Sequence, residues 1–495
     1  MMVTITELLA NLPPEPDEAS LFSEIRQAVA RSKRKLVVID DDPTGTQTVH
    51  NVELLTTWDR SLLAEALRAD SQLFYILTNS RSMPQSDAAR LNYTLARQLL
   101  TVSQETSVDF VVASRSDSTL RGHYPVEIDA LERGLIVPHH GGFAGHLLVP
   151  AFFEGGRYTI NDTHYVATPT ATSDTLLPAN ETPFAKDAAF GYKSAYLPSW
   201  IEEKSAGYWK AAQVMSIGLD LIRQGGVQAV AERLQQAEHG VPIIINAAGY
   251  GDLAVVVLAV LQAEAQGKRF IYRTAASFVR LRGAVASRPL LNISEIMQGT
   301  HGSNAASVDY AAQAEIAEAR GGIVVVGSYV PDSSKQLENL LQSPIVVGIE
   351  LPVERVIGTE AAKVSREVGQ QLEAALRAGR VGVVYTSREL VRGANPAESL
   401  DIGKKVSAAL IATLQEVTTV PRFIIAKGGI TSHDLAQKGL GAERALVLGQ
   451  LAPGIPVWRL QSGPQARFTG VPYIVFPGNV GGPEGLRQAV EMLVG

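Results

Sequence analysis

The chain predicts an α/β protein of two domains, each built around a mostly parallel sheet with flanking helices. Three observations carry that expectation. Short apolar, strand-like runs alternate with helix-period segments along most of the 495 residues, the mark of parallel-sheet domains. The length suggests about two to four domains at roughly 100–200 residues each. Several strand-like runs also end in polar loops, and open parallel sheets gather ligands at the carboxyl ends of their strands.

The elements follow in order. Leu21, Phe22, Ile25 and Val29 share one face and predict a helix over 21–30. The basic run Arg31-Ser32-Lys33-Arg34-Lys35 reads as a solvated helix end, favoured by the helix dipole, over a phosphate patch. Leu36–Ile39 predicts a buried strand ending in Asp40-Asp41-Asp42-Pro43-Thr44-Gly45-Thr46. Strands at 73–77 and 110–113 run into Thr78-Asn79-Ser80-Arg81 and into the loop from Ser114 to Gly122. Residues 152–204, rich in Thr, Pro, Gly and aromatics, read as a long irregular excursion covering the crevice at these strand ends. A strand at 241–246 precedes an apolar, buried helix near 252–266. The stretch 299–320 is the expected boundary, with a first domain over 1–298 and a second over 321–495. The second section repeats the strand-then-turn theme at 323–326, 381–385, 423–426 and 473–476, with helices near 333–341, 433–438 and 483–493.

Composition removes several classes. The 44 Lys and Arg against 50 Asp and Glu give net charge -6, which argues against a nucleic-acid partner. No apolar run approaches the roughly 18 residues needed to cross a bilayer, so no membrane partner is expected. The N-terminus lacks a basic start followed by an apolar stretch, so a cytoplasmic protein is expected. With Cys 0, disulfides, thiolate metal sites and cysteine nucleophiles are excluded. Among the histidines no HExxH occurs, and the adjacent His139 and His140 would point apart. His50, His123 and His164 read as structural hydrogen bonders rather than ligands. No metal ligands are assigned, and the oligomeric state stays open.

Two loop chemistries remain. In the second section Gly327-Ser328, the run from Lys427 to Ser432 and the run from Pro477 to Gly482 follow strands and precede helices. Such turns expose backbone N–H groups that suit phosphate oxygens, and glycine permits close approach. In the first section Asp40, Asp41 and Asp42 cluster after a strand, where like-charge repulsion makes a purely structural role expensive. Ser80-Arg81 and the loop 114–121 add hydroxyls and arginines able to grip a carboxylate. The residues alone leave two readings. One is a small-molecule kinase with an Asp/Arg/Ser crevice and a nucleotide domain. The other takes Asp40-x-Asp42-x-Thr44 as the first motif of a haloacid-dehalogenase-type phosphohydrolase, with Asp40 as nucleophile and Asp42 as general acid. It lacks a distal acidic pair for magnesium and leaves the glycine turns unexplained.

The motifs Asp40-Asp41-Asp42-Pro43-Thr44-Gly45, Ser80-Arg81, Asp117-Ser118-Thr119-Leu120-Arg121-Gly122, Gly327-Ser328, Gly428-Gly429-x-Thr431 and Gly478-Asn479 resemble, in this order, those of the four-carbon acid sugar kinases. The resemblance spans Leu36 to the C-terminus. It implies an N-terminal domain for the sugar acid, a C-terminal domain for ATP, and ATP- and Mg2+-dependent phosphorylation of a hydroxyl on an acid such as threonate, erythronate or 3-oxo-tetronate. Carried over, the ATP contacts fall on Ser328, Gly428, Gly429, Ile430, Thr431 and Gly478. The substrate contacts fall on Asp40, Asp41, Ser80, Arg81, Asp117 and Arg121. Asp41 is preferred as the group that orients or deprotonates the acceptor hydroxyl, and Arg81 as the holder of the substrate carboxylate, with Arg115 or Arg121 next. Many shorter members carry Glu at the place of Ile430 and Ser at the place of Pro477, so contacts there would be made by the backbone. A non-catalytic sugar-acid sensor is the third reading.

Overall fold

A computed structural model describes residues 3–136, 141–168, 175–298, 316, 318–328, 330–388, 391, 396–461, 463–478 and 480–495. The chain divides into two compact units: Met1–Thr48 with Trp58–Ser287, and Val49–Thr57 with Arg288–Gly495. The expected boundary stretch, and His139 and His140, lie almost wholly or wholly outside the described residues.

The first unit holds seven parallel strands, in spatial order Met215–Ile217, Val241–Ile245, Gly145–Val149, Phe270–Thr274, Phe110–Arg115, Lys35–Asp40 and Leu73–Leu77. Lys35–Asp40 is buried along its whole length, as a strand covered on both faces must be. The next strand in the chain, Leu73–Leu77, lies on one side of it, and the one after, Phe110–Arg115, on the other. The order therefore reverses between Lys35–Asp40 and Phe110–Arg115, the kind of switch point at whose carboxyl ends open parallel sheets form a ligand crevice.

The preceding helix runs Glu18–Ser32, capped by Asp17 on the N–H groups of Ala19 and Ser20 and ended by Lys33 at φ 54. The basic run does not stay together as a solvated helix end. Lys35 is buried at the start of the strand, where its Nζ donates to the carbonyls of Ala69 and Ser71, because the last carbonyls of the neighbouring segment need a donor. The helix Tyr250–Ala265 is apolar on most sides and buried almost throughout. Each fully buried Val or Leu in it contributes about 1.5–3 kcal/mol relative to exposure.

The described residues of the 152–204 stretch are more ordered than their composition predicts. Arg157–Ile160, Thr163–Ala167 and Thr175–Pro178 form an antiparallel sheet that the N-terminal Val3–Thr4 extends. These strands are four or five residues long and rich in Thr, Tyr and His, so their pairing, not their pattern, defines them.

Among the described residues the second unit holds eight strands. Five are parallel, ordered Val346–Leu351, Val381–Thr386, Ile323–Val326, Ile424–Lys427 and Pro472–Phe476. An antiparallel edge of Ile455–Leu460, Arg444–Ala452 and Val52–Leu55 completes it. The last of these strands comes from the N-terminal part of the chain, inside the sequence range expected for the first domain. The order reverses between Ile323–Val326 and Ile424–Lys427, so this unit has its own crevice. Its core packs Val324, Val326, Ile425, Ile474 and Phe476 against Leu337, Leu486 and Val490.

Candidate functional site

In the first unit the strand ends carry a dense ion-pair network. Arg81 Nε donates to Asp41 Oδ2 at 3.1 Å and Nη2 to Asp41 Oδ1 at 2.5 Å, while Nη1 lies 3.4 Å from Asp42 and 3.9 Å from Asp117. Asp117 in turn accepts from Arg121 Nε at 2.8 Å, and Arg121 reaches Asp187 at 3.5 Å. Arg115 Nη1 lies 3.4 Å from Asp40. The structure thus brings together Asp40, Asp41, Arg81, Asp117 and Arg121. Ser80 sits beside them, with its hydroxyl donating to Glu127 at 2.5 Å.

The arrangement corrects one expectation. Arg81 does not present an open fork to a ligand carboxylate, because three aspartates surround it and the bidentate pair with Asp41 already fills that geometry. Nor is Asp40 open to attack a phosphorus atom. It is 0% exposed, and a Cβ at Gly45 would overlap its carboxylate. Its Oδ2 has no hydrogen-bond partner. Asp42 is occupied as the cap of the following turn, accepting from the N–H and hydroxyl of Thr44. The phosphohydrolase roles of Asp40 and Asp42 therefore find no support.

Charge follows geometry. Burial pushes the Asp40 carboxyl up to about 7, with Arg115 opposing and Asp41 and Asp42 adding. Glu127 is raised to about 7 by burial and by Asp41. Asp117 is buried too, yet Arg121 and Arg81 hold it well below the usual carboxylate range.

Several residues of this crevice escaped the sequence reading. Glu127 is one. Arg273 is another: it ends a strand and donates to the carbonyls of Asp117 and Arg121. Others come from the 152–204 stretch: Tyr192 donates to Thr119 O at 2.9 Å, and Phe190 meets the His123 ring edge-on, whereas His164 is the structural hydrogen bonder expected of it, its Nε2 donating to Ser118 O at 2.6 Å. Only the position of Arg273 at a strand end could have flagged any of them.

The second unit gathers its turns differently. Ser328 follows one strand of the switch, and Gly428–Thr431 follows the other. The helix there begins at Gly429 rather than near His433, so Gly429, Ile430 and Thr431 form its first turn, whose N–H groups lack helical acceptors. Gly428 caps it at φ +107, and a Cβ there would meet Ser328 Cβ at 3.3 Å. A Cβ on Gly478 would come 3.4 Å from Ser328 Oγ. Ser333 Oγ donates to Gly478 O at 3.1 Å, tying the third turn to the first. All six residues expected at a nucleotide thus converge within this unit. Beneath them lies Lys427, fully buried, donating to Pro477 O at 2.7 Å and lying 4.5 Å from the centre of the Phe476 ring. Burial pushes its amine down to about 7. Among the described residues no group of three or more His, Asp or Glu is placed to hold a metal ion, and no helix is long and apolar enough to cross a membrane.

Comparison with known proteins matches residues 36–282 to a sugar-binding N-terminal domain and residues 323–486 to a nucleotide-binding C-terminal domain. A search of curated proteins finds no match. Among solved structures, the Haemophilus influenzae protein HI1011 aligns at TM-score 0.55 and 17% identity, over 92% of this chain and 100% of its own. A Salmonella typhimurium LT2 protein, provisionally called a tRNA synthase, aligns at TM-score 0.60 and 15% identity, over 92% of this chain and 98% of its own. At these identities the likeness establishes the two-domain α/β fold.

Proposed function

The chain belongs to the four-carbon acid sugar kinase family, and from that premise we propose that it transfers a phosphoryl group from ATP to a hydroxyl of a four-carbon or slightly larger sugar acid. The observation that carries the reading is the convergence of Ser328, Gly428–Thr431 and Gly478 at the switch point of the nucleotide-binding domain, together with a separate Asp/Arg crevice in the sugar-binding domain. Phosphoryl transfer asks the protein mainly for positioning and electrostatics. The N–H groups of Gly429, Ile430 and Thr431 cradle phosphate oxygens, and Ser328 and Gly478 close the cradle. Asp41, oriented by both nitrogens of the Arg81 fork, keeps lone pairs free to align the acceptor hydroxyl and take its proton. Asp117 and Arg121 bind the polyol flank. Magnesium is the charge-neutralising partner of the phosphates in such reactions. The described residues supply no cluster to ligate it, so no protein ligand is assigned and no step runs through it.

The test is ADP release over a panel of four- and five-carbon sugar acids with ATP and magnesium. Turnover on at least one acid, absent without the acid, supports the reading. Dephosphorylation of sugar phosphates without ATP would sink it.

A further inference from the structure

We propose that Arg157, carried into the crevice by the 152–204 stretch, is the residue that grips the substrate carboxylate, while Arg81 serves to hold Asp41. The inference rests on the sugar-acid reading and narrows it to one carboxylate-binding side chain that no sequence motif marks.

The backbone fixes where Arg157 stands. It pairs with Val166 across the small antiparallel sheet and with Phe152 across a bridge. Gly156 just before it adopts φ +71, where an added Cβ would also collide with Ala167. The guanidinium lies 5.7 Å from the centre of the Phe184 ring, and that of Arg121 lies 5.1 Å from the same ring. The two arginines differ in their partners. Arg121 is paired with Asp117 and Asp187. Arg157 makes no ion pair among the described residues, and its buried Nε has no hydrogen-bond acceptor.

A buried donor without an acceptor costs free energy, and Arg157 Nε is such a donor on a half-buried guanidinium. A second cation on the same ring adds repulsion. Those costs are relieved when a carboxylate arrives, because its two oxygens match the guanidinium fork and the aromatic wall excludes water from the pair. The contrast with the finished network is electrostatic as well. Neighbouring aspartates push Arg81 and Arg121 upward, whereas burial leaves Arg157 lowered, with Asp117 first among the groups opposing and Arg121 adding. Asp117 joins the two regions, since its charge acts on Arg81, Arg121 and Arg157 alike. A sugar acid held by its carboxylate at Arg157 would therefore run its hydroxyls along Asp117 toward Asp41.

Equilibrium binding tests this with the full-length protein and no nucleotide. The ligands are three- to six-carbon sugar acids, each beside the polyol of the same length. The wild type should prefer at least one acid over its polyol. Arg157→Ala and Arg157→Gln should weaken that acid about ten- to a hundred-fold, leaving the polyol and, in a separate titration, ATP unchanged. Arg157→Lys should recover part of the loss, since a point charge cannot reproduce the fork. Thermal melting of both neutral variants confirms folding. A folded Arg157→Gln that binds the acid as tightly as the wild type overturns the assignment, as does a wild type with no preference for any acid over its polyol. Acid binding lost in Arg157→Gln, in a wild type that never releases ADP, would defeat the kinase reading and leave the assignment standing.

Discussion

The two crevices handle charge in opposite ways. In the sugar-binding domain the strand ends carry aspartates and arginines that pair with one another, so most of its charges are partnered before any ligand arrives. In the nucleotide-binding domain the strand ends carry glycine and hydroxyl turns that present backbone N–H groups, with Lys427 fully buried beneath them. Side-chain networks couple binding to folding, because each member removed strands a buried partner. Backbone cradles separate the two, because their donors survive most substitutions and fail only when a side chain blocks the approach.

The largest expected effect would break the backbone side of this contrast. Gly428→Val places a branched side chain at φ +107 against Ser328, and nucleotide affinity should fall by more than about a hundred-fold while circular dichroism shows an intact fold. Retained affinity in the folded variant would remove this turn from the site.

Next in size is Arg81→Ala. It leaves Asp41, Asp42 and Asp117 without their shared cation, and should lower the unfolding free energy by roughly 3–5 kcal/mol in urea titration. A change below about 1 kcal/mol would mean that the network is not coupled to folding.

A smaller effect is a pH slope. The Asp40 carboxyl is raised from 3.8 to about 7 in the folded protein. A carboxyl raised on folding stabilises fully below its unfolded pKa, and that contribution is lost as pH rises through the folded value. Stability should therefore decline between about pH 4 and pH 7, and Glu127 acts in the same direction. Asp40→Asn should flatten part of that slope in urea midpoints measured across the range, and an unaltered slope would show that Asp40 titrates normally.

The smallest effect sharpens the comparison. Ile430 is 57% exposed in the helix's first turn. If only its N–H meets phosphate, Ile430→Ala should change ATP affinity less than about two-fold and stability by within about 0.5 kcal/mol. A ten-fold loss would show that the side chain takes part.

Much of the architecture was legible because buried parallel strands are short continuous apolar runs. The strands ending at Asp40, Leu77, Val326 and Phe476 stand out in the sequence for that reason. The glycine turns were legible because clustered Gly and hydroxyl residues directly after an apolar run mark a tight turn. Local pattern therefore determined the fold class and the order of the two loop chemistries along the chain. It could not show that Val52–Leu55 pairs with Arg444–Ala452, nor that three weak runs of four or five residues after Phe152 form a sheet, because their pairing is not written in their pattern. The same limit governs the arginines. Arg81, Arg121 and Arg157 each carry one positive charge in the sequence, and only tertiary packing decided which two were paired with aspartates and which was left with a buried Nε that no acceptor meets. A charge's role depends on its partners and its burial, and both are properties of the folded chain.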